Sequence, residues 1–322
     1  MIDSAYFSDD APIIQGIAKP YPGWIVGYAA IIEKLPLQIP LPAVKAMISV
    51  KYRSVKMSSW LIFSAAYLPQ DNTSISKIEA LYNHLVFALK YEGVNLLVFT
   101  KLREKLSSEE LLALVNIQPL GQYSRRIWFL IEWVSGTPII GKSDITKKSY
   151  IPVVDTKLQF AVSGIKSPRH LVLNNLPGTN KFCALIRKTE KIEQHLSKSY
   201  VEENRKQLAG IRKDIIQRAS AFLLLKDSKA SFTIEGESPK SKRAARWGSA
   251  IGQAGLIDLS KEELIRLQHL VIENQRFVQM GLRTKGGFVG EHDRLSGEPI
   301  PGHISAKPDD LDDLVNGLIE VN

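Results

Sequence analysis

Cysteine is almost absent from this sequence, which has one, Cys183, among 322 residues. A single thiol cannot close an intramolecular disulfide bond, and it cannot form a cysteine zinc site by itself. The sequence therefore excludes a disulfide scaffold. We expect Cys183 to act as a small buried apolar residue.

Long apolar runs are also missing. The longest, residues 24–32 and 60–68, span about nine residues each, whereas a membrane helix needs about 20. The N-terminus is acidic where a secretory signal is basic, and it has no continuous apolar core. We therefore expect no membrane span, no membrane partner and a cytoplasmic location.

Charge of one sign is in excess in only part of the chain. The net charge is +9, and residues 201–322 hold 18 basic and 18 acidic residues, which leaves 24 against 15 for residues 1–200. A basic surface attracts nucleic acid or acidic proteins. Because no run of five or more basic residues occurs, scattered solvated lysines explain the excess better, and a nucleic-acid partner is not favoured.

The length and the ordinary globular composition, 44% hydrophobic and 23% charged, predict two domains. Apolar residues at helical spacing over residues 77–90, and a capping box at Ser107-Ser-Glu-Glu110, predict helices. Short strands are predicted over residues 150–174. We therefore expect a basic, mixed but α-rich accessory domain over residues 1–190 and a second domain over residues 191–322.

The residue pattern of the second domain predicts helices with one interruption. Apolar residues fall on one face over residues 191–225, which predicts a single helix of about 30 residues. Further helices are predicted from Ser260 to Gly281 and after Pro308, because capping and acidic residues mark their starts. The glycines and prolines of residues 285–303 predict a hairpin or an extended loop. The predicted fold class is therefore mainly α.

Residues 136–143, Gly-Thr-Pro-Ile-Ile-Gly-Lys-Ser, match the P-loop pattern G-x-x-x-x-G-K-S, in which backbone amides and a lysine bind phosphates. That mechanism requires a strand before the loop and a helix directly after it. Residues 143–152 show no helical stripe, and residues 123–134 fit either a strand or a buried helix. A P-loop nucleotide-binding protein stays a less favoured alternative.

A second alternative site mixes arginines with aromatic residues. Such a mixture is typical of platforms for single-stranded nucleic acid. An aromatic core face with two flanking arginines explains the same pattern better. The residues concerned are Arg125, Arg126, Trp128, Phe129 and Trp133.

The six histidines are dispersed, and only Glu291-His292-Asp293 has the residue types of a ligand or acid–base cluster. The neighbouring Arg294 and the flanking glycines favour a polar loop tip. We predict no metal site.

The run Ser231-Phe-Thr-Ile-Glu-Gly236 resembles the inhibitory [Ser/Thr]-x-x-x-Glu-[Gly/Asn] motif of Fic (filamentation induced by cyclic AMP) or Fido proteins. The run Arg283-Thr-Lys-Gly-Gly-Phe-Val-Gly290 is similar to the Fic segment that contains the flap hairpin. Pro299-Ile-Pro301 and Ala306-Lys-Pro308 follow it in the same order. The resemblance covers about residues 191–322.

This resemblance implies the N-terminal part of a Fic-like helical bundle with a β-hairpin flap. The family transfers AMP from ATP to a hydroxyl of a target protein. It implies that the inhibitory motif consists of Ser231, Glu235 and Gly236, with the Glu235 carboxylate paired to an arginine that otherwise holds phosphate. It also implies a flap that binds the protein target through Gly286, Gly287, Phe288, Val289 and Gly290.

A complete family member needs ATP and Mg²⁺, and it carries the loop His-x-Phe-x-[Asp/Glu]-Gly-Asn-Gly-Arg-x-x-Arg with histidine as the base. No such run occurs before Asn322, so we assign no catalytic residue. The chain alone is expected neither to transfer AMP nor to bind ATP tightly. The implied function is the regulatory and target-docking part of a bacterial protein adenylyltransferase. The alternative is a non-enzymatic module that binds protein or nucleic acid, and a homo-oligomer stays open.

Overall fold

A computed structural model of the chain describes residues 12–49, 55–57, 59–67, 76–144, 149–234, 241–272 and 280–321. The chain divides into two compact units, Met1–Glu190 and Lys191–Asn322. This division falls at the boundary that the sequence predicts. The described residues are about 47% helical and contain several small sheets, so the fold class is mixed α/β rather than mainly α.

The described part of the first unit consists of short strands around a group of helices. In chain order these elements are β1 (Ile13–Ile14), β2 (Ile17–Ala18), β3 (Trp24–Val26), α1 (Tyr28–Lys34), β4 (Lys45–Ser49), β5 (Val55–Lys56), β6 (Trp60–Ser64), α2 (Lys77–Tyr91), α3 (Leu96–Lys105), α4 (Ser108–Asn116), α5 (Gln122–Ser135), β7 (Ile151–Pro152), β8 (Ile165–Ser167) and β9 (Val172–Asn174).

Four of these strands form a sheet in the order β3-β4-β6-β5. Strands β4 and β6 pair in parallel, from Lys45 opposite Trp60 to Ser49 opposite Ser64, and the outer two strands are antiparallel to them. All five residues of β4 are buried. A strand that is buried on both faces shows no alternation of apolar and polar residues, so the sequence pattern does not predict this sheet.

Two helices of the first unit start where the sequence predicts. Ser76 and Glu79 form a reciprocal capping box at the start of α2, and Ser107 and Glu110 form another at the start of α4. Both caps satisfy backbone N–H groups that the first helical turn leaves free. The two predicted helices are confirmed. The short strands predicted over residues 150–174 are also confirmed, as β7, β8 and β9.

Helix α5 lies at the centre of the first unit's core. Every residue from 124 to 132 is buried, and α5 packs against α2, α3 and α4. Its fully buried Trp128 shares one apolar cluster with Leu85 of α2 and Phe99 of α3. Residues 123–134 are therefore a buried helix and not a strand.

The second unit is mainly helical in its described part and has one hairpin. Its elements are α6 (Glu190–Leu196), α7 (Tyr200–Leu208), α8 (Lys213–Ile234), α9 (Ser241–Ile251), α10 (Lys261–Val271), β10 (Phe288–His292), β11 (Pro299–Ile304) and α11 (Leu311–Val321), with a 3₁₀ turn at Pro308–Asp310 before the last helix.

The single helix predicted over residues 191–225 is wrong. Three helices, α6, α7 and α8, occupy this region, and Gly210 has a φ of +87° that no α-helix contains. Several side chains of the predicted inward face are open to solvent, and Tyr200 and Phe222 are 47% and 66% exposed. The spacing of apolar residues therefore identifies one face of a helix, but it does not show whether another element covers that face.

Small residues bring α8 and α9 together. A Cβ atom on Gly248 of α9 would lie 3.3 Å from Ser228 Oγ and 3.6 Å from Leu224 Cγ, both on α8. Ser228 and Ala244 are fully buried at this contact. The absence of a side chain at Gly248 therefore allows the two helices to approach closely.

The last helices start as predicted. Ser260 Oγ accepts a hydrogen bond from the backbone N–H of Glu263 at the start of α10, and α11 follows the predicted proline. Helix α10 ends at Val271, so the end predicted at Gly281 is wrong. Lys261 Nζ lies 2.9 Å from Asp312 Oδ1 and links the starts of α10 and α11. Among the described helices, none combines the length and the apolar character needed to cross a membrane.

Candidate regulatory and docking site

The segment that the sequence predicts as a hairpin is a two-stranded antiparallel hairpin of β10 and β11. Phe288 pairs with Ile304 and Val289 with His303, and the register then shifts so that Gly290 pairs with Pro301. One residue of β11 is therefore extra, which is a β-bulge.

The bulge explains one of the glycines that the resemblance assigns to a flap. A Cβ atom on Gly290 would lie 2.3 Å from the backbone oxygen of Ile300 and 3.0 Å from the Cα atom of Pro301, whereas Cβ atoms on Gly286 and Gly287 would meet nothing within 4 Å. Gly290 is therefore required for the contact between the strands. Gly286 and Gly287 leave open space beside the backbone instead.

The base of the hairpin is held by polar contacts. The backbone N–H of Ser305 donates to Gly287 O at 3.0 Å, and the guanidinium of Arg283 donates to the carbonyl oxygen of Ala306. Arg283 and Ala306 are separate parts of the sequence resemblance, and the structure brings them together. The role of Arg283 in closing the hairpin is not predicted from the sequence.

The two outer edges of the hairpin differ. The Ser305–Gly287 bond at one end and a 2.8 Å bond from Asp293 N–H to Glu298 O at the other fix which residues face the partner strand. Alternation from these two points directs the amides of Phe288, Gly290 and His292 outward, away from β11. Opposite His292 and Gly290, strand β11 has Pro299 and Pro301, which lack N–H groups.

Only the edge of β10 therefore offers a row of free amides along the hairpin. Prolines blunt the outer edge of β11 against pairing with another strand. Apolar side chains on the hairpin are exposed as well, with Val289 at 69%, Ile300 at 55% and Ile304 at 72%. An exposed two-stranded hairpin with apolar side chains is suited to bind an extended peptide along β10.

The run that resembles an inhibitory motif, residues 231–236, begins at the end of α8. Ser231 is exposed, and its hydroxyl donates to the carbonyl oxygen of Asp227 at 3.0 Å within the helix. Phe232 next to it is buried. Glu235 and Gly236 lie outside the described residues, so their inhibitory role stays a prediction.

The P-loop alternative lacks the required surroundings. A helix, α5, precedes residues 136–143 where a strand is needed. Lys142 Nζ donates to Asn116 Oδ1 at 2.6 Å and lies 5.2 Å from the ring centre of Trp128. The lysine that would reach a phosphate is therefore held by the protein itself.

The arginine and aromatic platform is not on the surface. Arg125 and Arg126 are 5% and 8% exposed, Trp128 and Phe129 are buried, and Trp133 is partly buried against the same core. Arg125 Nη1 donates to the carbonyl oxygens of Ser149 and Leu171 at 2.8 Å and 3.0 Å. These side chains therefore form part of the core and leave no stacking surface for nucleic-acid bases.

The cluster Glu291-His292-Asp293 lies at the end of β10 and in the hairpin turn. Asp293 Oδ1 accepts hydrogen bonds from the backbone N–H groups of Leu295 and Ser296, and these bonds lower the pKa of Asp293. Its carboxylate therefore shapes the turn. In the described part of the chain, no group of three or more His, Cys, Asp or Glu residues is arranged to hold a metal ion.

A buried acid that the sequence does not single out lies on α5. Glu132 Oε1 accepts hydrogen bonds from Trp128 Nε1 at 2.6 Å and from the backbone N–H of Ile139 at 2.8 Å. Its Oε2 accepts from His170 Nε2 at 2.9 Å and from Arg169 Nε at 3.1 Å. The signal for this site is a lone carboxylate within the otherwise apolar residues 127–134.

Electrostatics keep this carboxylate charged. Burial raises the pKa of Glu132, but hydrogen bonds from His170, Arg169 and the backbone of Ile139 outweigh it and hold the pKa well below its usual range. Because a carboxylate can only accept, His170 Nε2 donates to Glu132 Oε2, and His170 Nδ1 lies 2.8 Å from Ser167 Oγ. This cluster fixes β8, the turn after it and α5 in one arrangement.

Comparison with family models, with curated proteins and with solved structures gives no match.

Proposed function

We propose that the second unit, Lys191–Asn322, is the regulatory and target-docking part of a Fic-type protein adenylyltransferase. The order of the motifs in residues 231–308 supports this proposal. The observation that carries it is the hairpin of β10 and β11, because it occupies the segment that the resemblance names as the flap.

Docking through the hairpin uses main-chain pairing. The outward amides of Phe288, Gly290 and His292 are spaced as in an edge strand, and an extended target segment can add to them. Main-chain bonds depend little on the target's side chains, so a hydroxyl-bearing residue of varied sequence context can be positioned. Gly286 and Gly287 leave room for the approaching backbone.

The regulatory step in this proposal depends on Glu235, directly after α8. A carboxylate there pairs with an arginine of the catalytic loop and so competes with the phosphates of ATP for that arginine. The same arginine cannot hold both groups in one geometry. ATP and Mg²⁺ are therefore ligands of the protein that includes the catalytic loop, and a target protein is the partner of the flap.

The test compares this chain with a longer one that extends through a His-x-Phe-x-[Asp/Glu]-Gly-Asn-Gly-Arg loop, if the coding sequence downstream of Asn322 encodes it. Both are incubated with Mg²⁺ and ATP labelled on the α-phosphate. We expect label on protein only with the longer chain, and a loop-histidine→Ala variant serves as its matched control. Labelling by the 322-residue chain, or a downstream sequence without the loop, contradicts the proposal.

A further inference from the structure

Helices α6 and α7 and the first half of α8 are open to solvent. No residue of α6 or α7 is buried, and the buried residues of α8, Ser228 and Phe232, both lie in its second half. Helices α6 and α7 have seven and nine residues, and isolated helices shorter than about 12 residues are only marginally stable in water. These helices therefore indicate a packing partner other than the described residues of the same chain.

Helix α8 has apolar residues on two opposite faces, and α9 covers only one of them. Leu224 and Ser228 face α9, since they lie beside Gly248 of that helix. Ile215 and Phe222 are seven residues apart and so share a face, which at about 3.6 residues per turn lies on the other side of α8 from Leu224. These two side chains are 51% and 66% exposed. The face of α8 opposite α9 is therefore left open.

The open apolar surface is large enough for a stable interface. Eight large apolar side chains between residues 196 and 223 are 42–69% exposed. They are Leu196, Tyr200, Val201, Leu208, Ile211, Ile215, Phe222 and Leu223. Side chains of this size and exposure together present an area on the order of 800 Å², and one partner of a standard protein–protein interface buries about 800 Å². An exposed apolar surface of this size marks an interaction site.

The charges of the same segment are segregated along the chain. Residues 190–203 hold four acidic and two basic residues, whereas residues 205–218 hold one acidic and five basic residues. That single acid, Asp214, pairs with both Arg212 and Arg218, so positive charge stays in excess around the start of α8. The segment is therefore acidic at one end and basic at the other.

A second copy of this chain is the partner that fits such a segment. In a two-fold interface the same surface serves both partners, so the acidic end of each copy can lie on the basic end of the other. Folding α7 back onto α8 of its own chain would instead place the basic end of α7 beside the basic start of α8. An acidic lipid or nucleic-acid surface would attract residues 205–218 and repel residues 190–203.

We propose that α6, α7 and the open face of α8 form the interface of a homodimer, in which residues 190–203 of each copy lie against residues 205–218 of the other. Apolar contacts from side chains such as Val201, Ile215 and Phe222 supply the affinity, and the charges set the orientation of the two copies. The hairpin and residues 231–236 lie outside this surface, so the proposal does not rest on the proposed function.

Sedimentation velocity of the full 322-residue chain at rising concentration tests the proposal, and we expect a monomer–dimer equilibrium. Ile215→Asp should weaken dimerisation at least tenfold, because it places a charge in the apolar interface. Leu295→Asp is the matched control, since Leu295 is 99% exposed in the hairpin turn, and it should dimerise as the unaltered chain does. A chain that is monomeric at every concentration, or equal dimerisation of the two variants, overturns the proposal.

Two charge variants test the orientation. Glu202→Lys with Glu203→Lys leaves residues 190–203 with two acidic and four basic residues, and Arg212→Glu, Lys213→Glu and Arg218→Glu together leave residues 205–218 with four acidic and two basic residues. Each variant alone should dimerise at least tenfold more weakly, because like charges then face each other. An equimolar mixture should form a heterodimer, since opposite charges meet again at both contacts. Failure of the mixture to associate, or variants that each dimerise like the unaltered chain, contradicts the proposed orientation.

Hydrogen exchange locates the interface in the unaltered chain. As the protein concentration rises, the amides of residues 213–222 should exchange more slowly, because the partner covers and stabilises this part of α8. The amides of α10 should keep their rates, since α10 lies outside the proposed interface. Dimerisation without slower exchange of residues 213–222 overturns the proposal. This measurement needs no substitution, so it decides the question even if a charge variant does not fold.

Discussion

His170 Nε2 lies 2.9 Å from Glu132 Oε2, and both side chains are more than nine-tenths buried. The two residues are 38 positions apart in the sequence, so their contact joins α5 to the turn that follows β8. Arg169 completes the cluster from the same turn, and its guanidinium reaches Asp144 on the far side. Glu132 therefore links α5 to two side chains of this turn.

We predict that Glu132→Gln lowers the free energy of unfolding by about 2 kcal/mol at pH 7, because it removes a buried carboxylate that accepts hydrogen bonds from Arg169 and His170. The folded-state pKa of Glu132 is depressed, so its contribution is complete above the unfolded pKa of about 4.3 and is lost as the pH falls toward the folded value. The difference from the unaltered chain should therefore shrink below about pH 4.

Urea unfolding at several pH values measures this difference. Glu104→Gln is the matched control, because Glu104 pairs with Lys101 on the surface and is 56% exposed there, where an ion pair contributes little. If the two variants lose equal stability, or if the loss for Glu132→Gln grows as the pH falls, the account of the cluster is wrong.

A structural feature of this protein can be predicted from the sequence when its cause lies in neighbouring residues. The capping boxes at Ser76 and Ser107 act over four residues, so the starts of α2 and α4 can be predicted from the sequence. The break at Gly210 cannot, because Gly continues a helix at a modest cost and only the surroundings decide its φ. The contact between Glu132 and His170 is invisible for the same reason, since it depends on packing between distant segments.

The same distinction between local and distant causes applies to the candidate site. The prolines and glycines of residues 285–303 predict a hairpin, which is local. They do not predict the bulge opposite Gly290, nor which amides face outward, because both depend on the register between the strands. The sequence alone gives Phe288 and Val289 the same role. In the structure, the amide of Phe288 faces outward and the amide of Val289 faces β11.

We predict that Lys142→Ala leaves any affinity of the chain for ATP unchanged, because Lys142 bonds to Asn116 and lies over Trp128 instead of serving a phosphate loop. Equilibrium dialysis with labelled ATP measures the affinity for both proteins. A tenfold weaker affinity in the variant, about 1.4 kcal/mol, would revive the P-loop alternative.

We predict that Gly290→Ala disrupts the hairpin, since its added Cβ atom would lie 2.3 Å from the backbone oxygen of Ile300. Gly286→Ala is the matched control, because the space beside Gly286 is open. The exchange of the Ser305 amide with deuterium measures the effect, as this amide bonds to Gly287 O at the base of the hairpin. Faster exchange in Gly290→Ala alone is expected, and equal rates in both variants contradict the assigned register.

We predict that Glu235→Gly, in a chain extended through the catalytic loop, raises transfer of AMP to a target or to the protein itself. Removing the carboxylate frees an arginine for the phosphates of ATP. Glu237→Gly is the control, because it removes a carboxylate two positions away and outside the motif. Incorporation of labelled AMP is measured for all three proteins. An unchanged rate for Glu235→Gly in a protein that binds ATP removes Glu235 from the inhibitory role.

The last prediction concerns the outer edge of β10, where we propose that a target docks. The amide of Phe288 faces outward, whereas the amide of Val289 faces β11, because Phe288 is one step from the Ser305–Gly287 bond and Val289 is two steps from it. Proline removes the N–H group at either position. Phe288→Pro therefore deletes a docking donor and leaves the hairpin paired, and Val289→Pro removes a bond that holds the hairpin together.

In the extended protein, Phe288→Pro should lower modification of a target while ATP binding and the unfolding temperature stay the same. Val289→Pro should lower modification too, but it should also speed exchange of the Ser305 amide, since the hairpin itself opens. Phe288→Ala is the control for the lost ring, because it keeps the backbone donor and should retain most of the modification. If Phe288→Pro and Phe288→Ala modify the target equally well, the edge of β10 does not pair with the target, and docking must use the exposed side chains of Val289, Ile300 and Ile304 instead.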